Sequence, residues 1–371
     1  MKKIRILHII PNFGTGGAER LVVSLLEATD KERFEAAAVS LYQETGTLIE
    51  KEIKEKRLKV YYLDKHPGLD LRMILELYRL FRTYCPDVVH THRYVLRYVL
   101  LPALFCRVSL RVHTVHNIAQ NEVDSLGKLV HWIAFRLANV VPVSISRAVA
   151  KTVNDVYGQN IYTPVIYNGI PTRRFVSKEE RNGTRAKVNA ILLHIGRFEP
   201  QKNHQLLIEA LAFVVIEYPR VLLWLVGDGL LRPAIERLVI DKGLEENVLF
   251  IGEVHDVKNF LADSDIFILS SDWEGFGIVI AEAMAAGKPV VSTAVDGVPE
   301  LVEDGVTGIL VPPRDPKALA QGILQLIKDP GLRQSLGDAA QQRVIERFDI
   351  SKTAKEYEAL YLRLLQERGR A

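Results

Sequence analysis

Short aliphatic and β-branched runs alternate with longer stretches whose apolar positions recur every three to four residues, and this alternation runs through the chain twice. In the first half the strand-like runs are residues 4–10, 35–41, 60–63, 87–91, 110–115, 140–143 and 162–167. Helical patterns lie between them, as at 71–84 and 128–138. Short, nearly all-apolar strands separated by helices predict parallel sheet covered on both faces. The pattern lapses at 171–186, a charged stretch without apolar periodicity that predicts a linker. It then resumes with strands at 188–195, 221–226, 248–251, 266–269, 289–293 and 309–311. Helices are expected at 204–217, 231–242, 278–286 and 316–328, and throughout 331–367 with a break near 348–350.

The expected organisation is therefore α/β, with two doubly wound Rossmann-like domains facing a central cleft. Residues 1–170 form the first domain, 171–186 the linker and 187–350 the second. A length of 371 residues agrees with this division, because single cores stop growing near roughly 250–300 residues. Ligands of such sheets bind at the carboxyl ends of the strands.

Charge adds an asymmetry. Residues 1–186 hold 28 Lys/Arg against 18 Asp/Glu, a balance of +10, whereas residues 187–371 hold 20 against 27, a balance of −7. A basic half suits an anionic partner, such as anionic lipid, a phosphorylated acceptor or nucleic acid, although surface variation alone produces such differences too. The two cysteines, Cys85 and Cys106, lack metal-ligand spacing and fit a reducing compartment. The opening MKKIRILHII is too short in apolar residues for a signal peptide and reads as a first strand. The longest apolar stretch, 95–106, contains Arg97 and Pro102 and falls well short of the roughly 20 residues that span a bilayer. These features point to the cytoplasm, with peripheral contact at the inner membrane face left open.

Three segments carry candidate chemistry. Residues 14–19, GTGGAE, follow the first strand and open a helix. Such a turn brings backbone N–H groups and a helix N-terminus to a phosphate, or is merely a tight turn. Glu19 stands where a dinucleotide fingerprint needs a third glycine, and no acidic ribose ligand ends the second strand, so a nicotinamide enzyme is disfavoured. Residues 196–203, GRFEPQKN, place Arg197 and Lys202 after a strand. Two cations across a proline turn suit a diphosphate, though surface loops also carry such pairs. Residues 271–284 set Glu274 in a glycine-rich loop and Glu282 among Ala281, Ala283 and Met284 on the following helix. A carboxylate in that apolar setting needs a partner, either sugar hydroxyls or a buried cation.

The run EGFGIVIAE at 274–282 resembles the E-x7-E motif of the large retaining glycosyltransferase family 4, or glycosyl transferases group 1. The resemblance covers essentially the whole chain: GTGGAE, HTVHN (113–117), VSIS (143–146), IYNGI (166–170), GRFEPQKN, LVGDG (225–229), FIGEVHD (250–256), GVPE (297–300) and the turn between Gly305 and Gly308 stand in the family's order. It implies the GT-B fold, catalysis without a divalent metal or other cofactor, and a terminal helix, from about residue 351 to 371, that crosses back to the first domain. It also implies a nucleotide-diphosphate sugar as donor, transferred with retention to a saccharide or lipid-linked acceptor in cell-surface polysaccharide or lipopolysaccharide assembly. By position, Arg197 and Lys202 bind the diphosphate, Glu282 the ribose, and Glu274 with the backbone of Gly275, Phe276 and Gly277 the sugar. Gly16, Gly17, Gly196, Gly227, Val254 and Ile278 complete the donor side. His116 faces the reacting sugar and acceptor, with His90 and Asn117 on the acceptor side. One departure is Pro171, where the family often has Asp.

Other readings compete. Asp263-Ser264-Asp265 is formally a D-x-D metal motif, but it precedes a strand rather than following one. His90 and His92 are a conceivable zinc pair with no third ligand in spacing. The basic, tyrosine-bearing stretch 93–111 lacks any nucleic-acid motif and reads as a solvated or membrane-facing surface. A nucleotide-sugar 2-epimerase and a non-catalytic nucleotide-sugar-binding protein remain as alternative functions.

Overall fold

Two six-stranded sheets, every strand pair within them parallel, carry the chain. The structure is a computed structural model and describes residues 2–14, 16–176, 188–254 and 256–369. It divides into two units, one of residues 1–169 with 350–371 and the other of residues 170–349. The expected linker starts inside the second unit, where Thr172–Arg174 form a short 3-10 turn; residues 177–186 lie outside the described residues.

In the first unit the strands are β1 Ile4–Ile10, β2 Phe34–Ser40, β3 Val60–Tyr62, β4 Val88–His92, β5 Leu110–Val115 and β6 Val140–Ser144, in the order β3-β2-β1-β4-β5-β6. In the second they are β7 Ala190–Ile195, β8 Val221–Val226, β9 Val248–Gly252, β10 Ile266–Leu269, β11 Val290–Thr293 and β12 Gly308–Val311, in the order β12-β11-β10-β7-β8-β9. Numbered from its own first strand, each sheet has the doubly wound order 3-2-1-4-5-6. The strands β4, β6, β7, β10 and β11 are buried at every position, including the His and Thr positions of β4, as in parallel sheet covered on both faces.

The strand expected at 162–167 is not formed. Pro164 has no N–H to give a ladder, and a single bridge pairs Val165 with Ser144. The tail splits into helices Pro330–Arg347 and Ile350–Glu367. The second of these belongs to the first unit, where Ile350, Ala354, Tyr357, Tyr361, Leu364 and Leu365 turn one face toward β1, β4, β5 and β6. That helix also packs on helix Gly17–Ala28.

Beneath the carboxyl end of the first sheet lies a layer of imidazoles. His8 on β1 is in register with His90 on β4. His8 Nδ1 meets His92 Nε2 at 3.2 Å, and His92 Nδ1 meets His116 Nε2 at 2.9 Å. His90 is held between the Tyr361 hydroxyl (2.6 Å) and Thr114 Oγ1 (2.7 Å), so the C-terminal helix closes this layer. His113 meets Thr91 Oγ1 at 2.8 Å, and His131 meets the Tyr157 hydroxyl at 3.3 Å. Burial strips these rings of water and keeps them neutral: His8 and His116 are pushed down to about 3, His131 to about 4, and His90, His92 and His113 well below the ordinary range. Glu122, which accepts from the His116 backbone N–H, is pushed up to about 7 by the same desolvation.

The layer is expected to make the protein acid-labile. Below about pH 6.5 the unfolded chain takes up protons that the buried rings refuse, so stability is complete above 6.5 and falls as pH drops toward 3–4, by up to ~1.4 kcal/mol per pH unit for each ring. Glu122 acts in the opposite sense, since its contribution is present below about 4.5 and lost by about 7. Six rings outweigh one carboxyl. Thermal melts are expected to show a steep fall in Tm from pH 6.5 to 5 and little change from 7 to 8; a flat profile from 7 to 5 contradicts buried neutral imidazoles.

Candidate active site

In each sheet the strand order reverses beside the first strand, between β1 and β4 and between β7 and β10. The connections leave in opposite directions there and open a crevice at the carboxyl ends. In the second unit, the loops that leave β7 and β10 carry the residues singled out from sequence.

These two loops are stitched together. Lys202 Nζ donates to Glu274 Oε2 at 2.6 Å, across a sequence separation of 72 residues. The pair is largely sheltered, with side chains 16% and 13% exposed. Ser270 Oγ donates to the Lys202 carbonyl, Asp272 N to the Gln201 carbonyl and Gln201 Nε2 to the Trp273 carbonyl. Asn203, at φ +43°, caps helix His204–Glu217 with Oδ1 and donates from Nδ2 to Asp272. From the far side, Asp296 Oδ2 accepts the Glu274 backbone N–H at 3.0 Å, and burial raises its carboxyl. Below the β7 loop, His194 and His204 are buried; burial holds His204 near about 4, aided by the Lys202 charge, and His194 well below its ordinary range. The positive charge at this place is thus confined to Lys202 rather than shared with the rings under it.

Glycines let the backbone close up. Gly227, after β8, has φ +132°, and a Cβ there would lie 2.2 Å from the Gly196 carbonyl oxygen. Gly277 has φ +90° and opens helix Ile278–Ala285, a conformation that favours glycine. Phe276, between Gly275 and Gly277, turns into the core against Phe348, so a ligand meets its backbone and not its ring. Glu282 lies one turn further on. Sequence placed it in apolar surroundings; the structure buries its neighbours Ala281, Ala283 and Met284 but leaves Glu282 itself half-buried. Ile278, the first residue of that helix, and Val254, in the loop after β9, are half-buried, while His255 of FIGEVHD lies outside the described residues. Arg197 is placed differently from Lys202. Its side chain is 60% exposed and pairs with Glu199 at 2.9 Å.

The first unit supplies a counterpart at its own crevice. Gly16 precedes helix Gly17–Ala28, and a Cβ on it would fall 2.3 Å from the Glu19 carboxylate. Glu19 is buried and accepts from Arg93 at 2.9 Å, joining the loops after β1 and β4. Arg93 has φ +59°, a backbone state uncommon outside glycine. Sequence reading noticed Glu19 only as a missing glycine and did not single out Arg93, Asp272 or Asp296. For Asp272 and Asp296 the signal available was a position within a few residues of Gly275 and Gly297; no glycine lies near Arg93, and its role follows only from its bond to Glu19.

His116 directly follows β5 and presents a neutral ring braced by His92, which suits hydrogen bonding to a hydroxyl more than charge stabilisation. Asn117 follows it, half-buried, with Oδ1 accepting from the Ile118 N–H. The acceptor role expected of His90 gives way to a core role, because its ring is fully buried and both nitrogens are engaged. The absent third zinc ligand also needs correction. His8, His90 and His92 bring one nitrogen each within 4.8 Å. The Tyr361 and Thr114 contacts nevertheless already occupy both nitrogens of His90, so the trio reads as a hydrogen-bonded layer. In the D-x-D sequence, Asp265 accepts from the Ile191 N–H and Ser264 is buried, which makes the segment a brace between strands.

Residues 15–174 match Glycosyltransferase Family 4, and residues 176–343 match the family described as glycosyl transferases group 1. The chain is 29% identical over 322 residues to the N-acetyl-alpha-D-glucosaminyl L-malate synthase of Bacillus anthracis, covering 84% of each. It is 24% identical over 380 residues, 97% of each, to the Escherichia coli UDP-Gal:alpha-D-GlcNAc-diphosphoundecaprenol alpha-1,3-galactosyltransferase. Anabaena HepE in complex with UDP superposes with a TM-score of 0.80 at 25% identity, covering 97% of this chain and 99% of HepE. With HepE bound to UDP and glucose the TM-score is 0.84 at 24% identity, covering 96% and 99%. Two doubly wound sheets, each with its loops gathered at the reversal of strand order, thus carry a chain that belongs to the family 4 glycosyltransferases of GT-B fold.

Proposed function

We propose that the protein transfers a sugar from a nucleotide-diphosphate donor to an acceptor hydroxyl with retention at the anomeric carbon, without a metal ion. The observation that carries this reading is the sheltered Lys202–Glu274 pair at the β7/β10 crevice. In the reaction, the bond between the anomeric carbon and the diphosphate oxygen breaks. The acceptor oxygen bonds to that carbon on the same face, and its proton passes to the departing phosphate. Negative charge therefore grows on the diphosphate, where a preplaced ammonium is most effective. Lys202 meets it in this scheme, with Arg197 reaching in from the exposed side. Glu274 has two roles, holding Lys202 and accepting hydroxyls of the donor sugar. Backbone amides of Gly275–Gly277 bind the sugar and Glu282 the ribose. Gly16 and Gly17 supply amides from the first unit, and His116 with Asn117 serves the acceptor.

The acceptor in this proposal is a lipid-linked saccharide used in cell-surface polysaccharide or lipopolysaccharide assembly, reached by peripheral contact with an anionic membrane at the cytoplasmic face. The basic first unit supports it, as does the similarity to a galactosyltransferase whose name specifies a diphosphoundecaprenol-linked substrate.

Two outcomes test the chemistry. Lys202→Ala is expected to lower kcat on the order of 100-fold, as for loss of one transition-state donor, with a melt confirming that it is folded; near-full turnover removes Lys202 from the mechanism. NMR of the product is expected to show the donor's anomeric configuration, and donor incubated alone is expected to yield no 2-epimer. An inverted product contradicts retention, and epimer formation makes the protein an epimerase.

A further inference from the structure

Helix Ser125–Arg136 of the first unit is apolar on both sides. Its inner face buries Gly127, His131, Ala134 and Phe135. Its outer face holds Leu126, Leu129, Trp132 and Ile133, with Leu129 56% and Trp132 42% exposed, and Leu137 just beyond is 67% exposed. Helix Leu96–Phe105 packs on it and turns out Leu101, Leu104 and Phe105, the last 73% exposed. A water-facing helix normally presents a polar outer stripe, and an apolar patch of this kind marks a surface that meets something other than water. Helix Arg72–Tyr84 of the same unit is more mixed: it exposes Leu75 but also turns Arg79 and Arg82 outward and pairs Arg79 with Glu76.

Charge identifies what it meets. Residues 93–151, which include both helices, contain eight Lys/Arg and two Asp/Glu, a balance of +6, or +5 once Glu19, the partner of Arg93, is counted. Both acids are accounted for: Asp124 pairs with Arg97 at 2.6 Å, and Glu122 lies inside against the His116 backbone. Protein partners of a second, identical copy would place like charge against like charge. An anionic lipid surface offers acyl chains to the leucines, an interfacial seat for the Trp132 ring and negative headgroups for the cations. The helices have 10 and 12 residues, too short to span a bilayer and suited to lying in its plane.

The geometry points to the outer face of helices Leu96–Phe105 and Ser125–Arg136 as the surface by which the protein docks on anionic membrane. This deepens the lipid-linked acceptor reading by assigning the contact to particular side chains, and its basis in exposure and charge is independent of catalysis.

The test is sedimentation with vesicles of phosphatidylcholine alone or mixed with phosphatidylglycerol, using the full chain and a Leu129→Glu/Trp132→Glu variant. Wild type is expected to bind the anionic vesicles at least about tenfold more tightly than neutral ones, with binding weakened by about 0.5 M salt. The variant is expected to lose about tenfold or more in binding while keeping its Tm and its transfer to a water-soluble acceptor. As a second reading, Trp132→Phe should remove most of the fluorescence quenching caused by brominated lipid. Vesicle binding that is equal for the two lipids, or equal for wild type and the glutamate variant, overturns the assignment. A wild-type dimer that the variant dissolves overturns it in favour of contact between copies. Wild type that transfers sugar but does not bind anionic vesicles rejects the docking surface alone; wild type that binds them without any transfer rejects the transferase reading alone.

Discussion

The bond between Lys202 and Glu274 is the contact on which the site in the second unit depends. It spans loops 72 residues apart and is sheltered from water on both sides. An ammonium left alone there would be costly, and so would a carboxylate. Paired, they hold the β7 and β10 loops in one arrangement, which Asn203, Asp272 and Asp296 reinforce through hydrogen bonds. The close approach of Gly227 to the Gly196 carbonyl follows from the same crowding of strand ends. In the proposed reaction, a charge fixed in this way costs no reorganisation when diphosphate charge develops, the condition under which electrostatic catalysis is strongest.

The first unit repeats the device. Its strand order reverses between β1 and β4, and there Arg93 and Glu19 join the two loops as Lys202 and Glu274 do in the second unit. In both cases the ion pair stands at the carboxyl ends of the strands, where connections diverge and side chains have room. The chemical settings differ. The second unit keeps a cation over neutral His194 and His204, whereas the first builds its floor from neutral imidazoles braced by Thr114, Tyr357 and Tyr361.

Most of this architecture was legible in the residues. The mainly apolar run at β7, the wholly apolar run at β10 and the helix periodicity at His204–Glu217 and Pro316–Lys328 give the same elements in pattern and in structure, because local propensity and burial agree there. The failures have physical causes. Residues 162–167 alternate like a strand, but Pro164 withholds a donor. His90 looked accessible at a strand end, yet a tyrosine 271 positions later covers it, a contact that no local pattern encodes. His8 joined the imidazole layer for the same reason, through strand register rather than spacing. The candidate site was legible through its glycines and paired charges, while the braces Asp272, Asp296 and Arg93 became visible only once the loops were set side by side.

The central claim is that Lys202 is a preplaced cation for a nucleoside diphosphate. Calorimetric titration of uridine diphosphate and guanosine diphosphate into wild type and Lys202→Met tests it most directly, without relying on the acceptor. The account predicts that at least one nucleotide binds wild type with 1:1 stoichiometry and binds the folded variant about tenfold or more weakly, the loss expected when one charge-assisted contact worth roughly 1.5–3 kcal/mol is removed. Equal affinity for the two proteins would contradict it.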